Sequence, residues 1–484
     1  MANPIAIGML LVLGSIQDGP PIETGLAWDG LVSTKTFTEL ALQATGNEDA
    51  GIALETVSGS PVVAAELTLR NGVPATGWMP VETGSLGDVT LRYSIDGGPW
   101  TELDAGFLER GAGRVILAGE VAIDQLGQIV GTTIVSATDL PRLPLAYAHV
   151  SVLAIGRDAL ARLDEAQLRA LLEYVGLCGS VLLIDPPTQV EQLMSQRAAC
   201  GGRYLQATGI DGNTADVLET LMTHDAGRLP DERTLGRLLN QRGADIRLMS
   251  IYLGGFLLLF ITLTAVPRSR AAALAFSLLA TALAALLWTG GSRQSFVAWA
   301  EVAATERVAR YASLERASAT GRGAQVLRLQ SLARSPMHIM GDGLVLNWKE
   351  AARDRYLDWS ASLLQEMQVL SMGSFPVAPS LRAGTDGEIV TVCNRGDRET
   401  RPAYLHWRGA NYRVPALAPG SRWTADASTA TTGPSAHLRL LARRASGRAV
   451  TLLHPLEVPA NGGEQRAWLM QTESGETGAT PCPG

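Results

Sequence analysis

Lysine is almost missing from this chain of 484 residues, because only Lys35 and Lys349 among its 40 basic residues are lysine. The formal net charge is -7, and no run of basic residues exists. A protein that binds nucleic acid normally presents a concentrated basic patch to the phosphates. We therefore expect no nucleic acid among the partners of this chain.

Motifs that mark common catalytic sites are missing as well. A P-loop needs Gly before its lysine, whereas the two lysines follow Thr34 and Trp348. No histidine precedes a glutamate, which excludes the H-E-x-x-H metalloprotease pattern, and no G-x-S-x-G elbow is present. The six histidines are scattered and indicate no metal site. The sequence predicts neither a metal nor a cofactor, and it favours a protein that is not an enzyme.

The cysteines form no C-x-x-C pair, which excludes zinc ribbons and thioredoxin-like redox motifs. Two of the four precede the middle of the chain, Cys178 and Cys200, and two follow it, Cys393 and Cys482. An even number in each half suits two disulfides in an oxidising compartment, Cys178 with Cys200 and Cys393 with Cys482. The alternative is that all four are buried free thiols.

Long hydrophobic runs occur at two places, 248–266 and 271–289, and neither run contains a charge. At about 1.5 Å per residue each would span roughly the hydrocarbon thickness of a bilayer. Only 267–270 separate them, so the two spans would be antiparallel, with Trp288 as an interfacial anchor. We expect a transmembrane hairpin with the lipid bilayer as a partner. The alternative is a pair of buried helices in a soluble core.

The N-terminal stretch Pro4–Gly14 is apolar and has the length of a secretory signal core. Export would place both soluble parts outside the cytoplasm, with Arg268 and Arg270 on the inner side. This stretch can also be read as a first β-strand. The expected location is the inner membrane, with the soluble domains in the periplasm.

Short alternating segments dominate the first part of the chain. Residues 62–69, 89–95 and 114–121 read as strands, and Asn71-Gly72 supplies a strong turn signal. This pattern predicts a β-sandwich over 18–136.

The pattern changes to strand, helix, strand over 151–184. Two apolar strands, 151–155 and 180–184, flank a helical period at 159–174, which predicts a parallel βαβ unit in a flavodoxin-like α/β domain over 137–247. Ligands of such folds bind at the carboxyl ends of the strands. Three residues are therefore candidates for a ligand edge: Arg157, Asp158 and Asp185. The alternative is that they cap helices and solvate the edge.

The stretch LPRLPLAYAHVSVLAIGRDALARLDEAQLRALLEYVGLCGSVLLID, at 140–185, resembles a family of bacterial membrane proteins. Its members carry a catalytically degenerate domain related to class I glutamine amidotransferases, flanking β-domains and a membrane hairpin. The resemblance implies architecture and no activity. One departure is visible, because Cys178-Gly179 stands where the family usually has Gly-Gly.

Cys178 could imitate the nucleophile of an active amidotransferase, but its surroundings argue against that role. A nucleophile elbow needs a strand before the cysteine and a helix after it, so that the helix N-terminus stabilises the thiolate. Here a helix precedes Cys178 and a strand follows. We expect no catalytic residue in this domain.

Strand patterns return after the apolar runs, at 325–332, 388–393, 403–407 and 437–442. Residues 350–369 have a helical period, and 295–310 suit either a helix or a first strand. These patterns predict a second β-sandwich with one helical insertion over 290–465 and a loose tail at 466–484.

The predicted fold class is thus multidomain, α/β plus all-β: residues 1–17 as a signal or strand, a β-sandwich, a flavodoxin-like domain, a two-helix hairpin at 248–289 and a second β-sandwich. The predicted function is a non-enzymatic, membrane-anchored scaffold or interaction protein of a bacterial envelope complex, with other envelope proteins as partners. Two alternatives are a hydrolase or amidotransferase acting through the α/β domain and an accessory subunit of a membrane transporter.

Overall fold

The structure is a computed structural model. It describes residues 22–32, 36–57, 60–111, 114–118, 133–137, 140–197, 204–207, 217–218, 220–221, 229–239, 261, 292–303, 307–319, 323–328, 336–341, 343–348, 356–361, 365–386, 388–426, 436–445, 450–456 and 464–473.

Most of the described chain is β-structure. The strands before the predicted membrane spans are β1 Ile22–Leu26, β2 Leu31–Val32, β3 Phe37–Ala44, β4 Ala50–Thr56, β5 Val62–Leu69, β6 Ala75–Glu82, β7 Gly87–Ile95, β8 Thr101–Arg110, β9 Arg114–Ala118, β10 Thr133–Ala137, β11 Val152–Ile155, β12 Ser180–Ile184 and β13 Tyr204–Ala207. The strands after them are β14 Ser292–Ala303, β15 Val308–Ala319, β16 Gly323–Arg328, β17 Pro336–Met340, β18 Leu344–Trp348, β19 Tyr356–Ala361, β20 Glu366–Pro376, β21 Leu381–Asp386, β22 Ile389–Asn394, β23 Ala403–Trp407, β24 Ala410–Val414, β25 Arg422–Asp426, β26 Val450–Pro455 and β27 Glu464–Glu473.

Helices are fewer and short. The α-helices are α1 Arg157–Arg162, α2 Glu165–Gly176, α3 Thr188–Arg197, α4 Glu232–Leu239 and α5 Ala436–Arg444. Short 3₁₀ segments lie at Ala27–Gly30 and Pro144–His149.

Two eight-stranded sheets form the body of the protein. We call the first sheet I, with strand order β16-β19-β18-β5-β4-β7-β8-β2, and the second sheet II, with order β17-β20-β15-β14-β27-β26-β23-β24. Sheet I joins strands from both ends of the chain, because β18 pairs in parallel with β5, Leu346 opposite Val63. The three-stranded sheet β1-β3-β6 and one end of sheet II cover its inner side.

Alternation along the strands explains this packing. In β5 the odd-numbered residues Val63, Ala65 and Leu69 are buried, while Glu66 and Thr68 are exposed. Successive side chains of a strand point to opposite faces, so such a strand buries one face and leaves the other outside. The inward residues of sheet I share one core with residues of β15 and β20, among them Ala317 and Val369.

A separate parallel sheet has the order β10-β9-β11-β12-β13. Its central strands are apolar throughout, since all four residues of β11 and all five of β12 are buried. Helix α2 packs against this sheet and also contacts β20 of sheet II. The two remaining layers are β21-β22-β25, which packs on β23, β24 and β26, and the helices α4 and α5, which cover β14 and β15.

The predicted fold class is wrong. Strands make up more than half of the described residues and helices about a fifth, and no flavodoxin-like α/β domain is evident. The strands β9 and β10 of the parallel sheet come from within or next to the segment predicted as a β-sandwich. The two predicted sandwiches are not separate either, because sheet I is built from both. Local patterns could not show this, since pairing between distant strands uses backbone groups that nearly all residues carry.

The predicted transmembrane hairpin is not borne out by the described residues. In the part of the chain that the structure describes, no helix combines the length and the apolar character needed to cross a membrane. The two apolar runs at 248–266 and 271–289 lie outside the described residues apart from Ile261.

Two local predictions are also wrong. Residues 356–361 and 366–369, predicted as helical, belong to the strands β19 and β20, because Leu357, Trp359, Met367 and Val369 alternate inward with period two. Residues 437–442, predicted as a strand, lie in α5, where Leu438 and Leu441 are three positions apart and both buried. Residues 295–303, for which helix and strand were alternatives, lie in β14.

Candidate interaction surface

The outward face of sheet I carries a row of valines that crosses several strands. Val345 on β18 lies opposite Val62 on β5, and Val326 on β16 is separated from Val345 by one strand, at Asp358 of β19. Val57 follows β4, where its N–H donates to Thr90 O at 2.9 Å. Continuing the register of β4 and β5 by two residues from the pair Glu55–Ala64 places Val57 beside Val62. We call this outward surface the valine face.

Two of these valines are unusually accessible. Val57 is 46% exposed and Val326 is 58% exposed. Phe107, on the outward side of β8 opposite Asp88, is 57% exposed. Apolar side chains grouped on one face of a sheet mark interaction surfaces more often than scattered ones do.

Carboxylates surround the apolar row. The outward positions of sheet I carry Glu55, Glu66, Asp88, Glu102, Asp104 and Asp358. Among the outward side chains that the structure describes in these strands, the guanidinium of Arg92 is the one basic group. The valine face therefore has an acidic rim.

Arg92 is already engaged within the face. Its Nε donates to Glu55 Oε2 at 2.8 Å, and a second nitrogen, Nη2, also contacts this oxygen. The guanidinium carbon lies 4.9 Å from the centre of the Trp100 ring. This arrangement neutralises Glu55, so the exposed carboxylates of Asp88, Glu102 and Asp104 give this end of the surface a negative charge.

The predicted ligand edge has the expected position. β11 and β12 pair in parallel, so Arg157 and Asp158, after β11, lie at the same sheet edge as Asp185, after β12. Asp158 pairs with Arg162 one turn along α1, at 3.1 Å, and Asp185 has a positive φ of 48° at the strand end. These contacts fit helix and turn formation, and a ligand role for the three residues stays a prediction.

No two cysteines of the described residues lie at disulfide distance from each other. Cys178 and Cys393 are nevertheless not free thiols, and the two predicted pairs stay predictions. Cys178 lies after α2 and Cys393 in β22, while Cys200 and Cys482 lie outside the described residues. The particular pairs could not be fixed from spacing, since a disulfide depends on the separation of two Cα atoms in the fold. Cys178 does follow a helix and precede a strand, so the geometry of a nucleophile elbow is not present there.

A buried ionic cluster lies at the edge between the parallel sheet and sheet II. Glu301 on β14 pairs with Arg310 on β15 at 3.1 Å and with Arg444 on α5, and Trp299 Nε1 donates to it at 3.0 Å. Nη1 of Arg310 also donates to the sulfur of Cys178 at 3.5 Å. Every charge here has a partner inside the protein, so the cluster connects elements and offers no open site.

The segment 140–149 forms a joint between the β1-β3-β6 sheet and α2. Glu39 on β3 is buried and accepts the backbone N–H groups of Arg142 and Leu143 at 2.6 and 2.5 Å. Tyr147 stacks on Tyr174 of α2, with ring centres 5.3 Å apart. These contacts fix the relative placement of the two layers.

A shallow depression of about 520 Å³ lies at the end of β4 and β5. Its two carboxylates hold turns, since Asp49 accepts the N–H of Asn71 at 2.7 Å and Asp96 accepts that of Gly51 at 2.8 Å. Within the described parts of the chain, no group of His, Cys, Asp and Glu side chains has a geometry that would hold a metal ion.

Sequence reasoning missed the valine face. A signal for it exists, because the segments 62–65 (VVAA) and 344–346 (LVL) are apolar at both the odd and the even positions, that is, on both faces of the strand. A strand with one solvated face normally alternates between apolar and polar residues. Apolar residues on both faces of a strand indicate that its outward face also packs against an apolar surface, such as that of a partner.

No protein-family model matches the chain, and no curated protein matches it. A solved structure of the yeast delta-COP-I mu-homology domain complexed with a Dsl1 WxWxV peptide is similar to it at 7% identity, covering 39% of this chain and 97% of that chain with a TM-score of 0.21. The resemblance of 140–185 to the bacterial membrane family stays a prediction.

Proposed function

We propose that this chain is a non-enzymatic interaction protein that holds a partner protein against the valine face. The observation that supports this function is the exposure of Val57 and Val326, 46% and 58%, in one row of a single sheet. A partner that covers these side chains would gain about 25 cal/mol of binding free energy for each Å² of apolar surface removed from water.

The construction of sheet I suits a docking platform. The row joins β4 and β5 to β16 and β18, which lie far away in sequence, so the surface exists only when both parts of the chain are folded together. A surface held by a continuous ladder of backbone hydrogen bonds is already ordered before binding. Preorganisation of this kind reduces the entropic cost of association.

A protein partner fits better than a small molecule. The face is an open sheet surface, whereas small ligands are usually enclosed in concave pockets. A partner held in this way can belong to any compartment, so the envelope placement inferred from the sequence stays a prediction.

Photo-crosslinking in the cells that produce the protein tests the proposal. A photoreactive phenylalanine analogue is placed at Val57 or at Val326 in the full chain, and adducts are separated by mass after irradiation. We expect a discrete adduct of the same mass from both positions, because both side chains would face one partner.

Ile389 is the matched control, since it is 47% exposed but lies on the separate sheet β21-β22-β25. The analogue at Ile389 should not give this adduct. Equal adducts at all three positions, or none at Val57 and Val326, would refute a docking role for the valine face.

A further inference from the structure

We infer that the segment bound by the valine face is basic and amphipathic, with arginine or lysine side chains next to apolar ones. This inference rests on the proposed function and specifies the partner for the same surface. It follows from the pattern of charge on the face, which is independent of the exposure of its valines.

The exposed charges described on the outward face are mostly acidic. Arg110, at the end of β8, lies in register with the buried Val32 and so belongs to the inward side. Among the outward side chains that the structure describes in these strands, Arg92 is the one basic group, whereas Asp88, Glu102 and Asp104 are exposed carboxylates. Arg92 is bound to Glu55 and packs on Trp100, so it does not balance the others. The field over this surface therefore attracts cations.

The spacing of the rows places apolar and acidic groups side by side. Glu55, Arg92 and Glu102 are aligned across three strands, and the row of Val57, Thr90 and Asp104 lies two residues away. Alternate residues on one face of a strand are about 7 Å apart, and neighbouring strands are about 4.8 Å apart. When one side chain of a bound partner segment covers a valine of sheet I, the next side chain of that segment can therefore reach a carboxylate of the face.

Asp358 repeats this arrangement at the other end of the row. It lies between Val326 and Val345 in the register of β16, β19 and β18, and one of its oxygens accepts a hydrogen bond from Asn347. Apolar contact along this row thus brings a partner over a carboxylate at both ends. A basic group over each carboxylate would compensate the charge as water is removed, whereas an acidic or neutral one would not.

The same charges disfavour two other classes of partner. Anionic lipid surfaces and nucleic acids both carry dense negative charge, and both bind through basic groups. The exposed carboxylates of the valine face would repel either of them. A basic protein segment satisfies both the apolar row and the acidic rim.

Peptide titration with the full chain tests this inference. The probe is a synthetic peptide of alternating leucine and arginine, labelled for fluorescence anisotropy, and the comparison probe replaces each arginine with glutamate. We expect binding of the arginine peptide, no binding of the glutamate peptide, and weaker binding as salt rises from about 0.05 M to about 0.3 M. Vesicles of phosphatidylglycerol should not bind.

Isosteric neutralisation locates the binding. The triple variant Asp88→Asn, Glu102→Gln, Asp104→Asn should weaken the binding of the arginine peptide about tenfold, which corresponds to roughly a twofold loss for each exposed charge pair. The double variant Val57→Ser, Val326→Ser should weaken it as well. The control removes the same charge elsewhere, from the exposed residues Glu388, Asp397 and Glu399 as Gln, Asn and Gln, and should leave binding unchanged.

The outcomes separate the two proposals. Equal weakening by both triple variants would mean attraction to net charge alone and would overturn the inference. Binding of the glutamate peptide or of the vesicles would also overturn it. If the crosslinks at Val57 and Val326 form but the triple variant on the face binds the arginine peptide unchanged, the partner is not selected by charge, and only the docking function stands.

Discussion

Glu301 and Arg310 face each other across β14 and β15, and Arg310 Nη2 donates to Glu301 Oε2 at 3.1 Å. Both side chains are largely buried, and Arg444 reaches the same carboxylate from α5. Removing one member of a buried ionic group leaves uncompensated charge, which costs more than an exposed pair contributes.

We therefore expect Glu301→Ala to lower the free energy of unfolding by about 3–5 kcal/mol, because two buried guanidinium groups lose their carboxylate. Urea unfolding followed by tryptophan fluorescence measures the change. Glu388→Ala, at an exposed carboxylate, is the control and should stay within about 0.5 kcal/mol. A loss below about 1 kcal/mol for Glu301→Ala would show that the cluster is solvated.

The burial of His454 leads us to expect that the protein loses stability in acid. Burial lowers the pKa of His454 to about 4, and its Nε2 is buried without a hydrogen-bond partner in the described structure. Because the unfolded chain has the ordinary pKa of about 6.5, it binds the proton first as pH falls. Stability should be unaffected above about pH 6.5 and should fall by up to about 3 kcal/mol towards pH 4.

The variant His454→Phe isolates this contribution. Unfolding free energies of both proteins are measured between about pH 7 and pH 4, where the difference between them should shrink or reverse in favour of the variant as pH falls. Parallel pH profiles for the two proteins would contradict a buried neutral histidine.

Asp164 forms the N-cap of α2 within a capping box with Gln167. Partial burial acts to raise the pKa of Asp164, but the hydrogen bonds from the Gln167 backbone and from Arg142 outweigh it and leave the pKa below its ordinary value. The carboxylate therefore stabilises the fold above about pH 4, and this contribution is lost as pH falls through the lowered folded-state pKa.

Asp164→Ala should cost about 1 kcal/mol, as the loss of an N-cap usually does. Asp164→Asn is the matched control, because asparagine also caps helices, and it should retain most of the stability at neutral pH. Thermal unfolding of both variants at neutral pH measures the difference, and equal losses would assign the effect to the charge instead of the cap.

Gly176 tests how α2 docks on sheet II. A Cβ at this position would lie 2.2 Å from Ser374 Oγ and 2.8 Å from Ser374 Cβ on β20. Gly176→Ala should destabilise the protein by about 1–3 kcal/mol through overpacking. The double variant Gly176→Ala, Ser374→Gly should recover part of this loss.

Gly25 provides the control for that measurement. A Cβ built on Gly25 meets no atom within 4 Å, so Gly25→Ala should change stability by less than about 0.5 kcal/mol. No recovery in the double variant would place α2 away from β20.

The sequence by itself determined several local features of this protein. The strands β5, β12 and β23 were predicted where they occur, because their apolar and alternating residues indicate how each strand is buried. The helical spacing of Leu160, Leu168 and Leu171 predicted helix in the region of α1 and α2. Local patterns failed where two periods compete, as at Leu357 and Trp359, which suit a helix in sequence and alternate inward in β19.

Only the tertiary structure decided which strands are neighbours. Val62 and Val345 are opposite each other in sheet I although 283 positions separate their numbers, and nothing in either segment encodes that register. Strand pairing is made by backbone N–H and C=O groups that nearly all residues share, so its partners are selected by the packing of the whole core. The valine face and the Glu301 cluster both depend on such pairings, and for that reason neither could be assembled from the sequence.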